Sequence, residues 1–242
     1  MPAIHIVVLS GGVGARMGAG QPKQFLLLAG RPVLAHSVAA FIDFKSVAAI
    51  HLVAPPNYIE ETGRILEGEG VRDRIQVVPG GSDRHASTLA GLAAVLARQP
   101  ADEDLVLIHD AARPLVQGAE IEALIQVFSQ DPGRELASLA APISETIVEA
   151  DALPGPLARS VDRTRFFAVK TPQAARVACL RRMIAEDEAG ANQSTDSPGP
   201  YTDLLTWGEA HGIQGALVPA DPRNLKLTHP GDLPYLSSLL DS

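Results

Sequence analysis

The sequence has 242 residues of ordinary globular composition, 46% hydrophobic and 20% charged, which excludes a disordered chain. Its formal net charge of −8 argues against a nucleic-acid partner. One cysteine excludes a disulfide framework and a cysteine-based zinc site, and no apolar run approaches the roughly 20 residues of a membrane span. The N-terminus has no basic leader, so we expect a cytoplasmic protein with a single domain over residues 1–242 and no membrane partner.

Short apolar runs alternate with longer amphipathic stretches along most of the chain. Strands are predicted, in chain order, at Ile4–Leu9, Ala49–Ala54, Ile75–Val78, Leu105–Ile108, Leu136–Ala141 and Ala216–Val218. Helices are predicted at Val33–Phe44, Tyr58–Leu66, His85–Leu96, Ala119–Phe128, around Cys179, Asp203–His211 and Leu233–Leu240. This alternation predicts an α/β fold with a doubly wound, mostly parallel sheet, in which ligands bind beyond the carboxyl ends of the strands.

Residues 142–170 interrupt this alternation. Two extended segments, Glu145–Glu149 and Arg165–Val169, flank Pro154-Gly155-Pro156, and together they predict a protruding hairpin, called the β-arm below. Further along, the polar segment Gly190–Pro200 predicts a mobile loop, and Asn224–Leu227 predicts a short extended piece.

The loop after the first strand combines glycines with cations. Gly11, Gly12 and Gly14 allow the backbone to approach a ligand closely, and Arg16 and Lys23 follow within reach of the strand end. A tight turn alone also favours glycine, but it needs no cations. The loop lacks the Gly-Lys-Ser/Thr of a P-loop and the third glycine of the dinucleotide fingerprint. We therefore interpret it as a polyphosphate site.

A second glycine pair follows the third strand. Gly81 allows close backbone approach, and Ser82 comes next. Asp83 is either a ligand contact or a helix cap. Ser87 lies one turn into the predicted helix, where its hydroxyl faces the same crevice.

The fourth strand leads into His109-Asp110-Ala111-Ala112-Arg113. An aspartate at this point of an α/β enzyme suits a ribose or metal contact, although Asp110 and Arg113 are also candidates for a structural ion pair. His109 is either a general base or a core residue, and we favour the core. Lys226, within a short extended piece, is unremarkable by itself because a lysine is usually solvated at its tip.

Taken in order, the motifs G-G-x-G-x-R-M-G with P-K-Q-F, G-G-x-x-R with S, H-D-A-A-R-P, T-P-Q, T-D and N-x-K-x-T make the chain resemble the 2-C-methyl-D-erythritol 4-phosphate cytidylyltransferases. The resemblance runs from about residue 4 to residue 240 and extends to a sister group, the ribitol-5-phosphate cytidylyltransferases. It implies a sheet of the sugar-nucleotidyltransferase type, a homodimer formed through the β-arm, and dependence on Mg²⁺. The implied reaction joins CTP to a polyol phosphate and releases pyrophosphate.

The same resemblance implies roles for individual residues. Arg16, Lys23 and Lys226 would be catalytic, the first two on the triphosphate and Lys226 facing the α-phosphate. The nucleotide would contact Gly11, Gly12, Gly14, Gly81, Ser82, Ser87, Asp110 and the Ala111 amide, with Asp110 also a metal ligand. The polyol phosphate would contact Arg113, Thr146, Arg163, Thr171 and Thr202, of which Arg163 and Thr171 would reach in on the arm of a partner subunit.

The sequence also leaves other functions to consider. Ribitol 5-phosphate, or another polyol phosphate used in surface glycans, is the alternative acceptor. A non-catalytic nucleotide-binding module is disfavoured because the chain retains the cations and Asp110. An NAD-dependent reductase is disfavoured because Ala54-Pro55-Pro56, and no acidic residue, ends the second strand.

Overall fold

The computed structural model describes residues 2–11, 21–42, 44, 46–190 and 201–240. The strands in these residues are β1 Ile4–Leu9, β2 Leu27–Leu28, β3 Arg31–Pro32, β4 Val47–Ala54, β5 Ile75–Pro79, β6 Leu105–Asp110, β7 Leu136–Pro142, β8 Val148–Glu149, β9 Arg159–Ser160, β10 Phe167–Arg176 and β11 Ala216–Pro219. The helices are α1 Val33–Ile42, α2 Ile59–Gly68, α3 Arg84–Leu96, α4 Gly118–Gln130, α5 Val177–Glu188, α6 Leu204–Ala210 and α7 Asp232–Leu240.

Within the described residues, seven strands form one sheet in the order β11-β7-β10-β6-β1-β4-β5. All neighbours are parallel except β10, which runs antiparallel to both β6 and β7. Two small antiparallel pairs, β2 with β3 and β8 with β9, lie outside the sheet. The predicted α/β fold with a mostly parallel sheet is confirmed.

The central strand β1 explains why helices cover both faces of the sheet. All six of its residues are buried, and alternate side chains enter different layers. Ile6 and Val8 belong to one apolar cluster, with Phe41 of α1, whereas Val7 belongs to the other, with Leu92 of α3. Because successive side chains in a strand point to opposite faces, an uninterrupted apolar run requires a helical layer on each side.

The strand β10 departs most from the sequence-based prediction. The segment predicted as extended, Arg165–Val169, was assigned to the arm, but the strand starts at Phe167 and continues to Arg176 between β6 and β7. Its apolar residues are interrupted by the run Lys170-Thr171-Pro172-Gln173, and Pro172 cannot donate to a sheet ladder, so the local pattern is atypical of a central strand. The pairing to β7 is accordingly irregular between Val169 and Gln173.

Other boundaries differ in smaller ways. β6 extends to Asp110, two residues past the predicted end, so this carboxylate belongs to a strand. The predicted extended piece Asn224–Leu227 has no strand pairing. Cys179 lies in the core on α5, and burial raises the pKa of its thiol to about 12, in keeping with a packing role. The predicted loop at 190–200 lies, after Gly190, outside the described residues.

The β-arm is a small exposed hairpin. Its β8 pairs with β9 through Val148 opposite Ser160 and Glu149 opposite Arg159. Leu153, at the arm's tip, is 93% exposed. The single-domain organisation and the arm's role in dimerisation stay predictions. As for membranes, none of the helices in the described part of the chain has the length and apolar character needed to cross one.

Candidate active site

A pocket of about 240 Å³, bordered by several charged side chains, opens beyond the carboxyl ends of β1 and β6. This is the edge at which a doubly wound sheet is expected to bind its ligand. The pocket is lined by Leu9, Ser10, Gly11, Lys23, Gln24, Gly81, Ser82, Asp83, Arg84, Ser87, Asp110, Ala111, Ala112 and Lys226. The structure thus brings eight of the predicted site residues to one place: Gly11, Lys23, Gly81, Ser82, Ser87, Asp110, Ala111 and Lys226.

Asp110 is held between two cations. Lys226 Nζ donates to Asp110 Oδ2 at 2.6 Å, and Arg84 Nη2 donates to Asp110 Oδ1 at 3.1 Å. Burial acts to raise the pKa of Asp110, but the charges of Arg84 and Lys226 outweigh it, so the pKa lies well below its usual range. The carboxyl is therefore ionised at neutral pH although its side chain is only 10% exposed.

Lys23 is joined to the same C-terminal loop as Lys226. Its Nζ donates to the carbonyl oxygen of Leu227 at 2.7 Å. The next residue, Gln24, is buried and donates through Nε2 to the carbonyl oxygen of Ser10 at 2.7 Å. Gln24 therefore fixes the turn that carries Lys23 against the end of β1, and both lysines border one pocket.

The second glycine pair packs tightly against α3. A Cβ on Gly81 would overlap the Cβ of Ala86, so only glycine fits there. The Gly81 amide donates to Ser87 Oγ at 3.2 Å, which fixes the serine hydroxyl at the pocket wall. Asp83 Oδ1 accepts from the Ala86 amide at 2.8 Å, so Asp83 caps α3. The helix cap is one of the two roles that the sequence predicts for Asp83.

Thr171 lies beneath the pocket, and its predicted position was wrong. It does not lie on the arm but in β10, buried in the chain's own sheet. Its Oγ1 accepts from the Asp110 amide at 3.0 Å and contacts His109 Nδ1 at 3.2 Å. Thr171 therefore orients the backbone that carries Asp110, a role that needs no second subunit.

His109 is a core residue, as favoured. Its Nε2 contacts the Arg113 carbonyl oxygen at 3.1 Å, and its ring packs edge-on against Phe41 with centroids 5.1 Å apart. Burial lowers the pKa of His109 to about 4. A fully buried, neutral imidazole of this kind cannot reach a substrate in the pocket, so the general-base interpretation was wrong.

Arg113 and Ala111 also depart from expectation. Arg113 does not pair with Asp110; its Nη1 donates to the Asn224 carbonyl oxygen at 3.1 Å, and Lys226 and Arg84 occupy the carboxylate. The Ala111 amide was expected to meet the ligand, but it donates to the Leu9 carbonyl oxygen at 2.9 Å. Ala111 therefore borders the pocket without a free backbone donor.

The remaining predicted residues lie apart from the pocket or outside the described chain. Thr146 and Arg163 are exposed on the arm, where the Arg163 guanidinium donates to the Ser144 carbonyl oxygen. Thr202 is exposed one residue before Asp203, which caps α6. Gly12, Gly14 and Arg16 fall within 12–20, outside the described residues.

Two residues contribute to the site although their local sequence predicts no role for them. Arg84, the arginine of the motif G-G-x-x-R, pairs with Asp110. Asn224, fully buried, donates to the Thr171 carbonyl oxygen at 3.0 Å and to Glu120 Oε1 at 3.1 Å. The first letter of N-x-K-x-T thus anchors the loop that carries Lys226.

The side chains at the pocket suit a metal ion that the protein holds only in part. Among the side chains that the structure describes, no three from His, Cys, Asp and Glu come together as a metal cage. Asp110 offers a single ionised carboxylate at the pocket. Mg²⁺ is commonly held by one or two carboxylates together with substrate phosphates, so the donor set suits a metal that enters with a triphosphate.

A cation-rich pocket at this edge of a doubly wound sheet suits an enzyme that binds phosphorylated ligands. Comparison with known proteins identifies the class of enzyme as a nucleotidyltransferase. The family model of 2-C-methyl-D-erythritol 4-phosphate cytidylyltransferase (IspD) matches residues 4–241. The chain belongs to this family and is a cytidylyltransferase.

Relatives and solved structures agree over nearly the whole length. The proteins of this name from Acidobacterium capsulatum and Thermobifida fusca are 35% and 36% identical, with 95% and 99% of this chain and 94% of each relative covered. A crystal structure of 4-diphosphocytidyl-2C-methyl-D-erythritol synthase matches with a TM-score of 0.78 at 25% identity, covering 100% of this chain and 99% of that one. The cytidylyltransferase from Thermus thermophilus matches with a TM-score of 0.72 at 25% identity, covering all of both chains.

Proposed function

We propose that this chain transfers the cytidylyl group of CTP to 2-C-methyl-D-erythritol 4-phosphate, giving CDP-methylerythritol and pyrophosphate for isoprenoid synthesis. The acceptor named in the matching relatives supports this choice. The observation that carries the proposal is that Lys23, Lys226 and the ionised Asp110 line one pocket at the carboxyl edge of the sheet. Two cations and an anion at that edge can bind a triphosphate and orient a hydroxylated partner.

The chemistry requires charge neutralisation more than a base. An oxygen of the acceptor phosphate attacks the α-phosphorus in line with the departing pyrophosphate, and this oxygen is already ionised. Lys23 and Arg16 would stabilise charge on the triphosphate, while Lys226 would face the attacked α-phosphate. One pair of unit charges 4 Å apart contributes about 4 kcal/mol at an effective dielectric of about 20, so a few placed cations supply a large part of the barrier reduction.

The nucleotide and the acceptor would occupy different walls. The backbone at Gly11 and Gly81, with the Ser82 and Ser87 side chains, would contact the nucleotide, together with Gly12 and Gly14. Asp110 would accept hydrogen bonds from ribose or polyol hydroxyls, and Arg113 would bind the acceptor phosphate. Asp110 would also supply one ligand to Mg²⁺, which neutralises phosphate charge when bound.

The arm would complete the acceptor site in a homodimer. Its exposed apolar side chains, Leu153, Leu157 and Phe166, are typical of a surface that a partner covers. Thr146 and Arg163, which lie on this arm, would then contact the acceptor phosphate of the opposite subunit, and Thr202 would approach it from the base of α6. Thr171 is excluded from that set by its position in the sheet.

The test is pyrophosphate release with CTP and Mg²⁺, with 2-C-methyl-D-erythritol 4-phosphate and ribitol 5-phosphate in parallel reactions. We expect at least a hundredfold preference in kcat/KM for the first acceptor, about 3 kcal/mol at the transition state. A preference for ribitol 5-phosphate would reassign the acceptor but keep the reaction class. The absence of pyrophosphate release with both acceptors, in protein that binds CTP, would refute the proposal.

A further inference from the structure

Arg84 lies at the pocket with no part in the reaction as proposed above. It is the first residue of α3 and its guanidinium reaches Asp110 Oδ1, while Lys226 takes the other oxygen. The two cations differ in their surroundings: the Arg84 side chain is 29% exposed and the Lys226 side chain 41%. The carboxylate thus has one counter-ion rooted in a helix and one on a loop.

The backbone at Arg84 is held at a fixed point. Asp83 caps the helix immediately before it, and Thr88 Oγ1 donates to the Arg84 carbonyl oxygen at 2.9 Å. Behind its side chain lie the rings of His85, Tyr201 and Trp207, which pack edge-on or stacked on one another. These contacts fix the backbone from which the Arg84 side chain reaches Asp110.

Lys226 is shared between Asp110 and any phosphate that enters the pocket. Its ammonium donates to Asp110 at 2.6 Å, and an α-phosphate competes for the same charge, so full engagement of the phosphate draws the ammonium away from the carboxylate. A buried carboxylate that loses its only cation would oppose that exchange, because an unpaired charge in a buried site is costly. A carboxylate that keeps a second cation would not.

We propose that Arg84 is a positioning residue that holds Asp110 in place as the counter-ion that the chain itself keeps there, so that Lys226 can transfer from Asp110 to the phosphate under attack. This inference rests on the proposed function of Lys226 and Asp110. Arg84 itself contacts neither CTP nor the acceptor in this arrangement. Removing its charge would tie Lys226 to Asp110 and lower turnover rather than nucleotide binding.

The test compares Arg84→Met, which keeps much of the side-chain length without the charge, with Arg84→Lys, which restores a charge. Arg98→Met is the matched control, because Arg98 is exposed just beyond the other end of α3 and lines no part of this pocket. Steady-state kinetics with CTP and 2-C-methyl-D-erythritol 4-phosphate, CTP titration, and thermal unfolding are measured on all four proteins.

For Arg84→Met we expect kcat to fall by about tenfold to a hundredfold while the Kd for CTP changes by less than about threefold. Arg84→Lys recovers most of kcat, and Arg98→Met matches wild type. A Kd for CTP raised more than about tenfold with kcat retained would make Arg84 a nucleotide ligand and overturn the inference. Equal kcat in wild type and Arg84→Met would also overturn it, and so would a loss of kcat that Arg84→Lys leaves unrepaired.

A crystal structure of the wild-type protein with CTP separates this inference from the proposed function. We expect the Arg84–Asp110 contact to persist and the Lys226–Asp110 contact to open. An Arg84–Asp110 contact that breaks on CTP binding overturns the inference whatever the acceptor is. A wild-type enzyme that is inactive with every acceptor overturns the proposed function, and the structure with CTP still reports on Arg84.

Discussion

The pocket and the β-arm carry candidate substrate contacts in opposite physical settings. At the pocket, Asp110 is buried, paired with two cations and fixed through its amide by Thr171. On the arm, Thr146 and Arg163 are exposed beside apolar side chains that nothing in the described chain covers. The interactions of the pocket are therefore complete within one chain. The strands of the arm pair with each other, but the apolar side chains of the arm stay exposed.

Substitutions in the two regions are therefore expected to act at different levels. Changes at the pocket alter interactions that already exist in a single chain, so they are expected to change turnover or the free energy of unfolding directly. Changes on the arm alter interactions that form only on association, so they are expected to change assembly first. Four measurements compare the two regions.

The largest effect is expected for Lys23→Ala. Loss of a cation that would stabilise charge on the triphosphate should lower kcat/KM by at least about a thousandfold, or roughly 4 kcal/mol at the transition state. The measurement is pyrophosphate release, with thermal unfolding to show that the variant is folded. Arg98→Ala, which removes one exposed positive charge elsewhere, is the control. Retained turnover in folded Lys23→Ala would refute the assigned role.

Leu153→Asp combined with Leu157→Asp tests the exposed apolar surface of the arm. Charges in the proposed apolar interface should weaken self-association by at least about a hundredfold, because buried unpaired charges oppose docking. Sedimentation at several concentrations measures this. Activity should fall with the dimer, while the unfolding temperature at a concentration where both proteins are monomeric stays as in wild type. An unchanged dimer would remove the arm from the interface.

Acid should destabilise the sheet through two buried histidines. Burial lowers the pKa of His109 and of His51 to about 4, whereas an unfolded histidine titrates near 6.5, so the unfolded state binds more protons between these values. Stability is thus full above about pH 6.5 and falls as pH drops, by about 2 kcal/mol per histidine between pH 7 and pH 5.

Denaturant unfolding at the two pH values checks this, with His51→Gln as the comparison because it removes one titrating group. Its loss of stability between pH 7 and pH 5 should be smaller than that of wild type. The arm, residues 142–170, contains no histidine. An equal loss in both proteins would show that His51 does not contribute.

The smallest effect is expected for a matched pair of threonines. Thr171→Val removes the acceptor of the Asp110 amide and should cost about 1–3 kcal/mol of unfolding free energy, since it leaves a buried donor unpaired. Thr164→Val removes an exposed bond to Asp162 on the arm and should cost less than about 0.5 kcal/mol. Equal costs would mean that Thr171 is not holding the end of β6.

The sequence predicted the parts of the site that depend on short segments. Ile4–Leu9 read as a buried strand because its apolar run is unbroken, and the glycines and cations after it marked the ligand edge. The capping role of Asp83 could be predicted, as one of two possibilities, because an N-cap depends only on the helix that follows it. In each case the signal and the structure span the same few residues.

What the sequence could not predict depends on distant segments meeting. The strand β10 includes Lys170, Thr171 and Pro172, a poor strand by local pattern, and its place comes from pairing with β6 and β7. Arg84 lies 26 residues from Asp110 and Lys226 lies 116 residues away, so no spacing rule brings the three together. The three residues meet only in the folded chain, at the carboxyl edge of the sheet.

The bond from Lys23 to the Leu227 carbonyl has a consequence for which anions the pocket admits. Both lysine amines already have an oxygen partner from the chain itself, Leu227 for one and Asp110 for the other. An entering anion shares each ammonium with that partner, so one contact gains it less than it would at a lysine without one. A lone inorganic phosphate therefore gains little. A triphosphate can contact both ammonium groups at the entropic cost of a single molecule, so we expect the site to favour anions that carry several linked charges.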